Sequence, residues 1–156
     1  MYLNATNSVM HSGYALPTAT VINKADDANE KMIAYCWHSV PGYSKMGSYY
    51  GNGSTNGTFV YTGFKPAFIL LKRHTDSSNN WEIRDNKRVT NNPNNERLFP
   101  NRNDTKSVGV GIDFFSYGFK IRNSGSGSNS NDKIYIYMAF ADQPLTTQYG
   151  TQSNGE

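Results

Sequence analysis

Cysteine is nearly absent from this chain of 156 residues: Cys36 is the only one. A single thiol excludes an internal disulfide and any cysteine-built zinc site, so the fold must be held by packing and hydrogen bonds. Charge is scarce too, at 17% of residues, and the formal net charge of +3 is scattered. That is too little to mark a nucleic-acid partner. No apolar run approaches the ~20 residues of a membrane span, and the N-terminus carries no signal-peptide pattern, so no membrane insertion is expected. Helical periodicity is missing as well. The three histidines, His11, His38 and His74, show no zinc-like spacing.

What fills the chain instead is uncharged and polar: 19 Asn, 15 Ser, 12 Thr and 14 Gly. These residues satisfy or tolerate turn backbone, so they suit many short strands joined by many turns. Disorder would share that bias but not the 13% of Phe, Trp and Tyr. The reading is all-β: an antiparallel β-sandwich with little or no helix, built as one domain over residues 1–144, with a polar tail over 145–156.

The strand pattern is centred on residues 62–88. Ala67-Phe68-Ile69-Leu70-Leu71 is apolar on both faces, as in a sheet-centre strand covered on both sides. Trp81-Glu82-Ile83-Arg84 then alternates, which makes a hairpin with it. Lys31 to His38 reads as a strand, with Cys36 a small buried apolar residue and Trp37 in the core. Short strands are expected within Tyr43–Tyr50 and at Phe59-Val60-Tyr61. A loop covers residues 91–104, anchored by Leu98 and Phe99. Val108 to Phe114 and Phe119 to Ile121 form a second hairpin, residues 124–132 a flexible loop, and Lys133 to Ala141 a final strand. Met1–Val9 and Thr18–Ile22 are β-prone. The apolar sides of Ile33, Phe68, Leu70, Ile83, Val110, Ile112, Phe119, Ile136 and Phe140 are predicted to lie between the sheets.

Two segments echo each other. Ile33-Ala34-Tyr35-Cys36-Trp37 resembles Ile136-Tyr137-Met138-Ala139-Phe140, and Pro41 matches Pro144 at the same offset. Residues 1–38 therefore read as the end of a preceding repeat unit, and 47–141 as one complete unit.

No catalytic constellation is visible. Asp85, Asp104, Asp113 and Asp132 show no convergence on a cleft, and no ligand spacing supports calcium. No cofactor is expected. The densest basic cluster, Lys72-Arg73-His74 with Lys87-Arg88 nearby, reads as solvated strand ends. Tyr43, Tyr49 and Tyr50 flank a Gly/Asn loop holding Asn52 and Asn56. Aromatic faces there would stack on sugar rings while the amides bond hydroxyls; the alternative is that the tyrosines pack on the sandwich edge.

GYSKMGSYYGNGSTNGTFVYTGFKPAFILLKR, the stretch from Trp81 to Arg88, FFSYGFKIR and KIYIYMAFADQP together resemble a repeat-type domain of virion proteins from marine tailed bacteriophages. The resemblance covers residues 33–144. It implies a sandwich in the style of jelly-roll and concanavalin-like lectins and a structural role in the particle surface or tail, often tail-fibre-like. It implies no enzymatic residues. The expected function is an adhesive virion domain, made in the bacterial host cytoplasm, that recognises a host-surface polysaccharide. The alternative is a purely architectural decoration or spacer module whose partners are other virion proteins. A polysaccharide-degrading enzyme ranks last. The chain by itself is expected to be a monomer or at most a weak, concentration-dependent oligomer, and any association should use sheet edges or exposed aromatics such as Tyr14, Tyr43, Tyr50 and Tyr149.

Overall fold

The computed structural model describes residues 18, 20, 35–75 and 79–143. Its elements are all strands: β1 (Ser44–Tyr50), β2 (Phe59–Tyr61), β3 (Pro66–Arg73), β4 (Glu82–Asp85), β5 (Asn94–Arg97), β6 (Ser107–Phe115), β7 (Gly118–Ile121) and β8 (Ile134–Ala141). Two antiparallel four-stranded sheets, ordered β1-β8-β3-β4 and β2-β7-β6-β5, make a β-sandwich. The chain crosses between sheets after β1, β2, β4 and β7, while β3–β4 and β5–β6–β7 stay within one sheet. Both expected hairpins are present, β3 with β4 and β6 with β7.

Residues opposite one another in the register share a face, so the register identifies the two faces of the first sheet. The inner face carries Tyr49, Tyr135, Tyr137, Ala139, Ile69 and Leu71, which meet Val60, Ile112, Phe114, Phe119 and Ile121 of the second sheet in one core. Side chains such as Ile69, Leu71, Ile112 and Phe119 are wholly buried. Each contributes roughly 1.5–3 kcal/mol by its removal from water.

Ile112 and Phe119 lie in this core, as predicted. Phe68, Leu70, Ile83, Ile136 and Phe140 do not: the pairs Phe68 with Phe140, and Leu70 with Met138 and Ile83, lie on the outer face. Period-2 alternation shows which residues share a face without saying which face is inside. Tyr135 and Tyr137 take the inner side on β8 as large apolar rings: the Tyr135 hydroxyl donates to the Ser126 carbonyl, and the Tyr137 ring packs edge-on against Phe119. Ile33 lies outside the described residues, as do Met1–Val9 and all of 18–22 except Thr18 and Thr20, and the side chain of Val110 is also outside them.

Other expectations are corrected too. Of Lys31–His38, the described part, Tyr35 to His38, forms no strand; Cys36 is exposed, and Trp37 is half in solvent at 51%. Residues 91–104 are not wholly loop, since β5 forms within them and Leu98 bridges to Ile83. Lys72 and Arg73 are buried rather than solvated, with Lys72 Nζ donating to the Asn79 carbonyl (2.6 Å). Residues 124–132, expected to be loose, are tied down by the hydrogen bonds described below.

Candidate functional site

One end of the sandwich is closed by two Asn-rich loops, residues 51–57 and 123–132. Neither has apolar side chains to bury, so its shape has to come from hydrogen bonds. Asn129 supplies the centre: its Nδ2 donates to Asn52 Oδ1 (2.8 Å), the Ser54 carbonyl (2.8 Å) and the Asn123 carbonyl (2.7 Å), while Asn52 N–H donates to its Oδ1 (3.1 Å). Gly51 N–H reaches the Lys133 carbonyl (2.8 Å), and a Cβ at Gly51 would run into the Ser130 carbonyl. A side chain larger than hydrogen is therefore excluded there. From below, the Tyr49 hydroxyl donates to the Ser128 carbonyl (2.7 Å) and the Tyr135 hydroxyl to the Ser126 carbonyl (2.8 Å).

The five residues of the expected sugar site divide across this framework. Tyr49 is a core residue, its ring stacked on Tyr135 and its hydroxyl bonded within the fold. Tyr43 precedes β1 and packs edge-on against Phe140. It lies roughly 23 Å from Tyr50 at the other end of the strand, at about 3.3 Å per residue. Tyr50, Asn52 and Asn56 are all exposed beside the loop end. The Asn52 amide is already committed, with Nδ2 donating to the Asn56 carbonyl (3.1 Å) and Oδ1 accepting from Ser54 N–H (3.0 Å) and Asn129 Nδ2. Tyr50 is left as an exposed ring beside a preorganised loop.

A second surface was missed by the sequence reading. The outer face of the first sheet presents Met46, Phe68, Leu70, Ile83, Ile136, Met138 and Phe140, and a cavity of about 290 Å³ is lined there by Met46, Leu70, Trp81, Ile136 and Met138. The signal was present in β3, which is apolar on both faces. On that outer face Leu70 and Lys72 of β3 are buried, as expected of a sheet-centre strand covered on both sides, while Phe68, Ile83, Ile136, Met138 and Phe140 around them are half-buried.

Charged groups are mostly paired off. Glu82 and Arg84 face inward and are buried; Glu82 accepts from Arg84 Nη2 (3.2 Å) and Arg97 Nη1 (2.8 Å), and Arg84 Nη1 donates to the Asn94 carbonyl (2.9 Å). Burial pulls the Arg84 guanidinium below its ordinary value against the opposing pull of Glu82. Burial and then the Glu82 charge push the Tyr49 hydroxyl well above the usual tyrosine range. Of the carboxylates considered for acid–base work, Asp85 pairs with Arg88, Asp104 with Arg102 and Asp113 with Arg122. Burial alone would raise the Asp85 carboxyl, but the hydrogen bonds from Arg88 and Lys87 outweigh it and hold the group low. Among the described residues no three His, Cys, Asp or Glu side chains gather as metal ligands, and no helix is long and apolar enough to cross a membrane.

A family model matches residues 1–144, a span that includes every strand of both sheets. The chain belongs to the family described as Domain of unknown function (DUF7483). The loop end, the outer apolar face and the buried Glu82–Arg84 pair are thus all features of this chain's DUF7483 domain. No curated protein and no solved structure matches the chain.

Proposed function

We propose that this DUF7483 domain is a non-catalytic architectural module of a tailed-phage virion, positioned in the particle by contacts with neighbouring virion proteins. One observation carries the architectural reading. The outer face of the first sheet is apolar and holds a cavity over Met46, Leu70, Trp81, Ile136 and Met138, while the polar set expected for a sugar is divided between core, far end and loop. The outer-face side chains are half-buried or buried, and the apolar cavity between them is a seat that a side chain of a neighbouring protein could fill. The virion assignment itself rests on the resemblance of the motif set from Gly42 to Pro144.

An adhesive reading keeps one specific support, the exposed Tyr50 ring beside a loop pre-set by Asn129. A glycan array separates the two. Flat signals across marine bacterial polysaccharides agree with the architectural module. Saturable binding that disappears in Tyr50→Ala overturns it in favour of host-glycan recognition. The virion assignment has its own check: antibodies against the domain should decorate purified particles of the encoding phage on the surface or tail, and bare particles would refute it.

A further inference from the structure

Among the described residues the edge of the first sheet at β1 has backbone groups without partners, and these groups are complementary to themselves. The hydrogen-bond phase follows from Ala141 N–H donating to the Tyr43 carbonyl (2.8 Å) and Gly51 N–H to the Lys133 carbonyl (2.8 Å). With the register of Ser44 opposite Phe140, the odd-numbered residues of β1 bond β8. The N–H and C=O groups of Ser44, Met46, Ser48 and Tyr50 therefore point away from the sheet. Ser44 is used by Val40, in both directions. Met46 N–H is capped by Ser39 Oγ (3.0 Å), and the Tyr50 carbonyl by Thr58 Oγ1 (2.6 Å). Four groups are left without a partner among the described residues: Met46 C=O, both groups of Ser48, and Tyr50 N–H.

Among the described residues, the stretch before β1 reaches this edge only at Ser44 and Met46. The Val40–Ser44 bridge starts an antiparallel ladder whose next rung would join His38 to Met46. At that rung Ser39 Oγ occupies the Met46 N–H, and Ser44 Oγ bonds the His38 carbonyl (3.0 Å), so the two backbones part.

We propose that β1 pairs edge to edge with β1 of a second copy of this chain, across a two-fold axis at Ser48. In an antiparallel pairing centred there, Ser48 faces Ser48 of the other copy and Met46 faces Tyr50. Each Ser48 N–H then meets the other Ser48 C=O, and each Tyr50 N–H meets the other Met46 C=O, which uses all four open groups of each copy. The two capped groups, Met46 N–H and Tyr50 C=O, would face one another in the same register, so rotating two hydroxyl side chains lets them pair as well. Cross-strand partners share a face. The Tyr50 side chain, 65% exposed, is thereby brought beside Met46 at the margin of the outer-face cavity. Such an interface is isologous and closes, as a two-fold dimer must. An exposed sheet edge of this kind is otherwise a liability for uncontrolled pairing. The inference stands apart from the virion reading, since it uses only the edge itself.

The test is light scattering on the full chain from about 10 µM to 1 mM, joined to amide hydrogen exchange. A small interface predicts a concentration-dependent shift from 17.4 kDa toward twice that mass. Ser48 and Tyr50 N–H should exchange more slowly as concentration rises. Ser48→Pro removes the axial donor without touching the β8 ladder, because that N–H points outward. It should remain monomeric with unchanged circular dichroism. Tyr50→Lys alters only an exposed side chain and should weaken the dimer at least tenfold, which keeps the test valid even if the proline variant fails to fold. A wild type that stays at 17.4 kDa throughout, a dimer indifferent to both substitutions, or Ser48 protection independent of concentration would overturn the proposal.

Discussion

Tyr49 and Tyr135 stack with ring centroids 5.2 Å apart and planes 15° from parallel, and each hands its hydroxyl to a carbonyl of the same loop, Ser128 and Ser126 respectively. Core and loop end are thus one unit. Tyr49→Phe keeps the stack but strands the Ser128 carbonyl, and should destabilise by about 1–3 kcal/mol. Tyr49→Ala also opens a cavity and should lose about 3–5 kcal/mol. Urea unfolding measures both; a Tyr49→Phe midpoint equal to wild type would show that the hydroxyl contributes nothing.

The same hydroxyl makes the fold sensitive to alkali. Its folded-state value is raised, by burial first and Glu82 second, so the folded protein keeps a proton that the unfolded chain releases near pH ~10. The associated stability is complete below that pH and declines as pH rises toward the folded value. Between about pH 9 and 12, thermal midpoints should fall less steeply in Tyr49→Phe than in wild type. Parallel curves would assign the alkaline loss to other groups.

Glu82 is the counter-charge to a wholly buried Arg84. Glu82→Ala leaves that guanidinium uncompensated between the sheets and should destabilise by about 3–5 kcal/mol. Combining Glu82→Leu with Arg84→Met removes the wholly buried cation together with its counter-charge, leaving only the partly exposed Arg97 without its partner, and should recover most of the loss. Calorimetry that finds the double variant as unstable as Glu82→Ala would rule out an unpaired charge as the cause.

Asn129 holds the loop end through an amide nitrogen aimed at three oxygens. Asn129→Asp is almost the same size but turns that donor into a carboxylate oxygen facing acceptors. A loss of roughly 3 kcal/mol or more is expected from one buried, unsatisfied charge. Asn56→Ala changes an exposed side chain and should be nearly neutral. Similar melting for Asn129→Asp and wild type would mean that the clamp does not set the loop.

The two tryptophans should behave differently in solution. Trp81 is buried and Trp37 is half exposed. Iodide should quench about one of the two emissions, the one lost in Trp37→Phe, and Cys36 should react with a disulfide reagent in the native state. A thiol that reacts only on unfolding would place the 35–38 segment in the core after all.

Much of the architecture was legible before any coordinates. Alternation at Trp81 to Arg84 and at Val108 to Ile121 marked both hairpins, and turn-forming residues around Gly51 and Ser124 marked loops, which the structure shows to be two of the crossings between sheets. These are local properties, because backbone period and turn chemistry act over a few residues. Which face of a strand is buried is not local. On β8 the choice between Ile136 with Phe140 and Tyr135 with Tyr137 depended on partners from elsewhere in the chain, the Ser126 carbonyl of the β7–β8 loop for the Tyr135 hydroxyl and Phe119 of the second sheet for the Tyr137 ring. Glu82 and Arg84 look like solvent-facing charges in sequence and are buried only because Arg97 and the Asn94 carbonyl arrive from β5. The expected sugar residues were neighbours along the chain, yet one strand turns Tyr49 inward and Tyr50 outward and sets Tyr43 a strand length away. The sequence by itself determined the all-β class, both hairpins and most strands and turns; β5 and the absence of a strand at Tyr35 to His38 were not legible in it. Tertiary structure alone decided which side chains face the core between the sheets, which lie on the outer face, and which backbone groups of β1 stay unbonded among the described residues, because each depends on partners brought together from distant parts of the chain.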